Sequence, residues 1–355
     1  MKLFSKFFLL IFASFFVLSC SNEVDINAPE KPIWAVYGVL NPQEPVQYIR
    51  VATGFQPESN ALDYARENDL SVKGLQVSLL SESGKRYLAQ EEDSLLKQPE
   101  DGTFFPFQTL YRFDTDGQDA LVAGEKYTLR ITRPGDDVFE LTSETAIPLE
   151  PNIVRPALTL CSGNGRGLQA LSLDKETRVE WARKTAQQEG SVGFAYELRS
   201  FLAYEEDGQP DTVSFGPTRM LENPGGCGSA STFCYRFREK ELLSTFLTRM
   251  DQQAGRIYTM VDSPTCAQPE MLSKAFWFEV TAMDSFLTNY RLANDPKFTD
   301  FTTARPEFTN IQSTELTVGI FGSINIVKQY ATFNKCTRYL MNLNDEPQPS
   351  PSCTP

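Results

Sequence analysis

The stretch Ile33-Trp34-Ala35-Val36-Tyr37-Gly38-Val39-Leu40 decides the fold class, because it joins β-branched, aromatic and small apolar residues without a charge or a break. Such residues suit a pleated, buried surface better than a helix. The run stops at Asn41-Pro42, a turn signal, and residues 46–51 form a second extended run, so the two read as a first hairpin. Further along, Leu75, Val77 and Leu79 alternate with polar residues up to Ser83-Gly84. Tyr127, Leu129 and Ile131 repeat that period between Gly124 and Arg133-Pro134-Gly135-Asp136. Short alternating strands with this Gly and Pro punctuation predict an antiparallel β-sandwich. Residues 60–69 interrupt them with one or two helical turns, capped by Asn60.

Between those strands lies the densest aromatic run after the leader, Phe104-Phe105-Pro106-Phe107-Gln108-Thr109-Leu110-Tyr111-Arg112-Phe113. In an extended strand Phe105, Phe107, Thr109, Tyr111 and Phe113 share one side, with Phe104, Leu110 and Arg112 on the other. The plain reading is a core strand. The sharper one makes Phe104, Phe105, Phe107 and Tyr111 a partner-binding surface, since aromatic residues are enriched at the centres of interfaces.

Pro148 and Pro151 stop the strand pattern and mark a domain boundary, so residues 32–150 are expected to form an N-terminal sandwich and residues 151–345 a C-terminal β-rich domain. In the second part Arg178-Val179-Glu180-Trp181, residues 194–204 and Phe276-Trp277-Phe278-Glu279-Val280-Thr281 read as strands. Trp34, Trp181 and Trp277 are expected as core anchors. One strong helix is expected near residues 237–251, within a helical pattern that runs from Tyr235, where Leu243, Phe246, Leu247 and Met250 recur at helical spacing. Arg236, Arg238 and Lys240 crowd its first turns against the helix dipole, so either the helix begins later or the charges meet an acidic partner. Residues 284–293 suit a short helix. Gly319 and Gly322 flank Ile-Phe inside a strand and imply a bulge or a close backbone contact. Gly163-Asn164-Gly165-Arg166-Gly167 lacks the spacing of a phosphate loop and reads as a turn. Residues 346–355 form a Pro-rich tail.

Ahead of the first strand, Met1-Lys2-Leu3-Phe4-Ser5-Lys6 gives a basic start and residues 7–17 an apolar core, the pattern of a signal peptide over residues 1–19. The apolar run is too short to cross a bilayer. Val17-Leu18-Ser19-Cys20 resembles the lipobox of bacterial lipoproteins, which implies cleavage after Ser19 and lipidation of Cys20, with residues 20–31 as a tether. Of seven cysteines, six then remain to pair in an oxidising compartment: Cys161, Cys227, Cys234, Cys266, Cys336 and Cys353. Six thiols allow 15 pairings. The preferred set joins Cys227 to Cys234 across a glycine-rich loop and Cys336 to Cys353 at the tail, leaving Cys161 with Cys266. The alternative is a metal site, against which stand the lack of a CxxC pair and of histidine.

The chain of 355 residues has a net charge of −13 and no histidine. The acidic balance argues against nucleic acid as a partner. Without histidine there is no Ser-His-Asp triad, no Cys-His pair and no HExxH zinc site. The acid pairs Glu91-Glu92, Asp136-Asp137 and Glu205-Glu206 are adjacent, which in a strand sends them to opposite faces and favours solvated surface over paired catalysis. No catalytic residue, metal or cofactor is expected, and a two-carboxylate hydrolase ranks third.

The lipobox, the Pro-Ile-Trp-Ala-Val-Tyr-Gly-Val-Leu first strand, Gly-Glu-Lys-Tyr-Thr-Leu-Arg-Ile at residues 124–131, Ile147-Pro148, and Thr309-Asn310-Ile311 followed by Gly319-Ile320-Phe321-Gly322-Ser323 together resemble an uncharacterised family of Bacteroidota outer-membrane lipoproteins. These are often encoded beside TonB-dependent receptors. The resemblance implies a mainly β protein of two immunoglobulin- or fibronectin-like antiparallel sandwich units, the second with a helical insertion, held by lipid at the outer membrane or cell surface. It implies a non-enzymatic role as an accessory subunit of a TonB-dependent β-barrel receptor or an envelope assembly. The alternative is a surface protein that binds glycan or peptide on exposed aromatics. Ser21, Asn22, Glu23 and Asp25 resemble the surface-export signal of that group. Asp93-Ser94-Leu95 and Asp211-Thr212-Val213 resemble its O-glycosylation pattern, with Ser94 and Thr212 as acceptors.

Overall fold

The structure, a computed structural model, describes residues 33–54, 60–97, 105–157, 159–160, 166–167, 169–182, 195–206, 209–220, 232–250, 258–259, 275–294, 308–343 and 353. The first part of the chain carries strands β1 (Ile33–Leu40), β2 (Val46–Thr53), β3 (Gln76–Ser81), β4 (Arg86–Leu88), β5 (Gln90–Leu96), β6 (Phe107–Asp114), β7 (Lys126–Arg133) and β8 (Asp136–Ala146), with helix α1 (Ala61–Glu67) after β2. Then follow β9 (Asn152–Arg155), β10 (Thr159–Leu160), β11 (Arg166–Gly167), β12 (Ala170–Leu171), β13 (Thr177–Ala182), β14 (Ala195–Glu206), β15 (Gln209–Met220), β16 (Thr232–Phe237), α2 (Glu241–Arg249), β17 (Tyr258–Thr259), β18 (Phe276–Met283), α3 (Ser285–Ala293), β19 (Leu316–Phe333) and α4 (Lys335–Leu340).

The fold is mainly β and sandwich-like. One large sheet runs β15-β14-β18-β19-β1-β2-β6-β5, with β12 and β17 attached. Two smaller sheets, β4-β3-β7-β8 and β16-β13-β9, pack against it, and β10 and β11 form a two-stranded sheet. Trp34, Val36, Ile49, Tyr111, Phe113 and Phe321 of the large sheet meet Val77, Leu79, Tyr127, Leu129 and Leu141 of the first small sheet in one apolar cluster. Tyr196, Leu198, Phe276, Phe278 and Phe333 meet Val179, Trp181 and Phe237, with Leu242, Leu243 and Phe246 of α2, in a second.

The first cluster is completed by Ile311 and Phe321, which arrive from the far end of the chain. The cause is β19, 18 residues long. Its first half lies beside β1, from Ile33↔Leu316 to Leu40↔Ser323, and its second half beside β18, from Met283↔Ile324 to Phe276↔Ala331. The pairing with β1 is parallel, as is the short β12–β19 pairing, where antiparallel neighbours were expected throughout. A parallel pair needs a long crossover, and some 275 residues separate these two strands.

Glycine makes the seam possible. At Gly319, φ is +107°, and a Cβ there would stand 2.0 Å from the Val36 carbonyl oxygen. At Gly322 a Cβ would meet Leu287 Cβ of α3 at 2.9 Å. The close backbone contact expected from this glycine pair is therefore made to β1 on one side and to a helix on the other. Asn310 holds the seam from outside: its side chain donates to the Phe321 carbonyl at 2.7 Å and accepts the Phe321 N–H at 3.0 Å, as a strand neighbour does.

The helix expected near residues 237–251 needs correction. Residues 232–237 are strand β16, where Phe233 and Tyr235 face Trp181 and Val179 across the pair, and α2 starts only at Glu241. Phe233 stacks on Trp181 with 6.0 Å between centroids, a cross-strand contact that outweighs local helical spacing. The basic residues thus precede the helix, and Arg236 meets Glu176 at 3.4 Å. The later stripe packs as expected, with Leu242, Leu243, Phe246 and Met250 buried. Helix α1 is capped by Asn60, whose side chain accepts the Leu62 N–H at 2.9 Å.

Candidate functional site

Strand β6 divides the aromatic run. Thr109, Tyr111 and Phe113 face inward at 0–1 % exposure, whereas Phe107 at the strand's start is 42 % exposed. Tyr111 is therefore a core residue and not part of a partner surface: its hydroxyl accepts the Leu75 N–H at 3.1 Å and donates to the Val72 carbonyl at 2.8 Å. Burial, with the Glu91 carboxylate nearby, pushes its phenol up to about 12. Phe107 instead meets Phe105 edge to face at 6.1 Å and pairs across the ladder with Leu96. Lys97 ties this corner by donating from Nζ to the Phe105 carbonyl at 2.9 Å. Phe104 lies outside the described residues. The inward row continues past the end of the core, and that leaves Phe107 uncovered.

The two Asp-hydroxyl pairs share a local geometry. Asp93 Oδ1 accepts the Ser94 N–H at 2.7 Å, and Asp211 Oδ1 accepts the Thr212 N–H at 2.6 Å. Each carboxylate is also anchored elsewhere. Asp93 meets Lys73 at 2.7 Å and the Thr109 hydroxyl at 2.9 Å, and Asp211 accepts from the Tyr204 hydroxyl at 2.8 Å. The Lys73 hydrogen bond holds the Asp93 carboxyl down at about 2. Ser94 and Thr212 are both exposed, Ser94 with φ of +58° where β5 bulges. The aspartates fix the backbone that presents the two hydroxyls.

Cys336 and Cys353 form a disulfide with 5.5 Å between their Cα atoms, tying the tail to α4. Cys234 is buried and also disulfide-bonded. Cys161, Cys227 and Cys266 lie outside the described residues, as do Cys20 and the expected leader. Among the described residues no group of three or more metal-ligating side chains comes together, and no helix is long and apolar enough to cross a membrane.

Two features were not legible as sites. The first is a row on the outer face of the large sheet, where Phe201, Trp277 and Tyr330 are cross-strand neighbours. Phe201 and Trp277 stack at 5.1 Å and 8°, with Tyr330 at 6.1 Å from the indole. Arg199, Glu279 and Lys328 form the next row. Glu279 accepts from the Trp277 indole at 3.0 Å and from Lys328 at 3.0 Å. Trp34 and Trp181 are core anchors as expected, but Trp277 is only half-buried, with one ring face taken by Phe201. The strict alternation Phe276 in, Trp277 out, Phe278 in is the signal that an all-apolar reading of the strand overlooks.

The second feature is Asp284, the cap of α3, 4 % exposed. Oδ1 accepts the Leu287 N–H at 2.6 Å, while Oδ2 accepts the Ser323 N–H at 2.7 Å and hydrogen bonds from the Ser323 and Thr145 hydroxyls. Burial raises its pKa against the pull of these donors. With both oxygens occupied by α3, β19 and β8, the carboxylate is a structural junction.

No family model and no curated protein matches this chain. Among solved structures it aligns with trypsin-activated alpha-2-macroglobulin from Escherichia coli at 11% identity and a TM-score of 0.18, over 71% of this chain. The alignment spans 14% of the length of that protein.

Proposed function

We propose that the protein is a non-enzymatic, lipid-anchored outer-membrane or cell-surface lipoprotein, built of two immunoglobulin- or fibronectin-like sandwich units, that serves as an accessory subunit of a TonB-dependent receptor or an envelope assembly. The observation that carries this reading is the half-buried Phe201–Trp277 stack with its flanking Arg199, Glu279 and Lys328 on the outer face of the large sheet. Trp, Tyr and Arg are the residues most enriched among the anchors of protein interfaces. The stacked rings cover each other's faces, which suits a protein partner better than a sugar ring laid on an open platform.

The lipid anchor adds the second requirement by keeping the sheet close to membrane partners, so that modest contacts suffice. Asp93 and Asp284 are engaged in holding strands and a helix cap together. The test is recovery of a β-barrel partner when the full lipoprotein is captured from detergent-solubilised outer membrane. Trp277→Ala is expected to lower that recovery about tenfold or more, as loss of an interface anchor does. A wild-type protein that stays monomeric and partnerless overturns the proposal.

A further inference from the structure

Strands β1, β6 and β19 begin, and β2 and β5 end, at one end of the large sheet: Ile33 pairs with Leu316, Trp34 with Thr53, and Leu96 with Phe107. Strand β8 also starts there, since Phe139 packs on Trp34 at 4.5 Å. Helix α1 closes the same corner through the Phe105 N–H, which donates to the Ala65 carbonyl at 2.9 Å. Around this rim stand Val138 at 81%, Leu96 at 66%, Leu316 at 54%, and Leu62 and Phe107 at 42% exposure. Nothing in an isolated soluble sandwich calls for so many exposed aliphatic side chains at one end.

The chain also enters the folded body at this end. Cys20 precedes Ile33 by 13 residues, a segment that spans at most about 45 Å even if fully extended. We infer that the rim of Leu62, Leu96, Phe107, Val138 and Leu316 is a membrane-contacting face that inserts into the interface of the bilayer holding the lipid anchor; the inference rests on the proposed lipidation of Cys20. The composition favours lipid over a protein partner. Leu and Val are under-represented among interface hot spots, but they partition into hydrocarbon without needing a complementary shape. Three nearby cations are engaged, with Arg133 lying over Trp34 and Phe139, Arg66 pairing with Asp63, and Lys97 bonding the Phe105 carbonyl, while Arg50 is the further cation close to Lys97. Contact is therefore apolar, with little dependence on salt or on anionic headgroups.

Hydroxyl-radical footprinting of the full lipidated protein in phosphatidylcholine vesicles tests this directly. Labelling at Leu96, Phe107 and Val138 is expected to fall severalfold relative to the Cys20→Ser protein free in solution. Val122, which is 56% exposed beside the opposite strand ends, serves as the unchanged reference. The protection is expected to persist at high salt and to disappear in the Leu96→Glu/Phe107→Glu variant. Equal labelling with and without vesicles overturns the inference, and so does protection seen only in native outer membrane, which would assign the rim to a protein partner. Intact mass separates the two readings. If Cys20 carries no lipid, the anchor reading fails, and coupling the Cys20 thiol to a maleimide lipid then tests the rim independently, protection supporting it and its absence overturning it.

Discussion

Replacing Gly319 by alanine tests the seam between β1 and β19. The backbone there has φ of +107°, a region that side-chain-bearing residues occupy at a cost of about 1–3 kcal/mol. The added Cβ would sit 2.0 Å from the Val36 carbonyl oxygen and under 3 Å from the Val36 carbonyl carbon and amide nitrogen. A carbon-to-oxygen contact needs about 3.3 Å, so the two backbones must part by more than an ångström. The pairing Val36↔Gly319 then loses about two hydrogen bonds, about 1 kcal/mol each. Val36 and Phe321, both fully buried, are loosened by about 1–2 kcal/mol more. The expected loss is about 4–7 kcal/mol, a large share of the total stability of an ordinary domain.

Two alanine variants act as controls. Gly84→Ala carries φ of +91° but meets nothing within 4 Å and should cost about 1 kcal/mol; Gly38→Ala meets the end of the buried Ile49 side chain, with Phe321 at 3.4 Å, and should cost about 1–3 kcal/mol. Chemical denaturation of the protein, followed by tryptophan fluorescence with disulfides intact, measures all three. Trp34 lies in the affected cluster and Trp181 in the other, so the two halves can be followed separately in single-tryptophan backgrounds. A Gly319→Ala loss no greater than that of Gly84→Ala would refute the close-approach argument.

Other outcomes follow from the same geometry. Asp284→Asn places an amide against donors and should cost about 2 kcal/mol. Because burial raises the Asp284 pKa, the wild type should lose stability as pH rises from the usual carboxylate range through the folded value, a slope that the asparagine variant should lack in denaturation midpoints across that window. Asp93, held at about 2 by Lys73, works in the opposite sense: its contribution is present above the ordinary carboxyl value and lost as pH falls towards 2. Lys73→Met should move its carboxyl titration upward by NMR, and an unmoved midpoint would discount the ion pair. Cys336→Ser opens a link of sequence separation 17 and should cost about 3 kcal/mol in thermal or chemical unfolding. Tyr111→Phe removes a hydroxyl with two backbone partners and should cost about 1–2 kcal/mol. It should also remove any stability lost as pH climbs from the ordinary phenol range towards about 12, the range over which the buried tyrosine resists ionising.

Sequence reading located the strands well, because alternation reports directly which side of a pleat is buried. It predicted the Asn60 cap of α1 for the same local reason, since Asn60 satisfies an N–H group two residues away; the short helix expected at residues 284–293 is α3, and its cap Asp284 emerges from the structure. It misplaced the start of α2 because residues 232–237 carry apolar residues compatible with either period, and the stack of Phe233 on Trp181 decides between them. The exposed aromatic at the start of β6, Phe107, was half legible. Periodicity placed Phe107 and Tyr111 on one side, but where the core ends along that side depends on the length of the sheet packed above it.

Composition and pattern determined by themselves that this chain is mainly β and has no histidine for imidazole chemistry. Those properties are local, written in residue type and spacing. Tertiary structure alone decided that the stretch beginning at Ile33 pairs in parallel with a strand some 280 residues later, and that one long strand completes the first apolar cluster while belonging to the second. It also decided that Asp284 bridges α3, β19 and β8. Pairing across such a distance depends on shape: two glycines allow a backbone and a helix to approach, and no local period records which distant surfaces will fill the space.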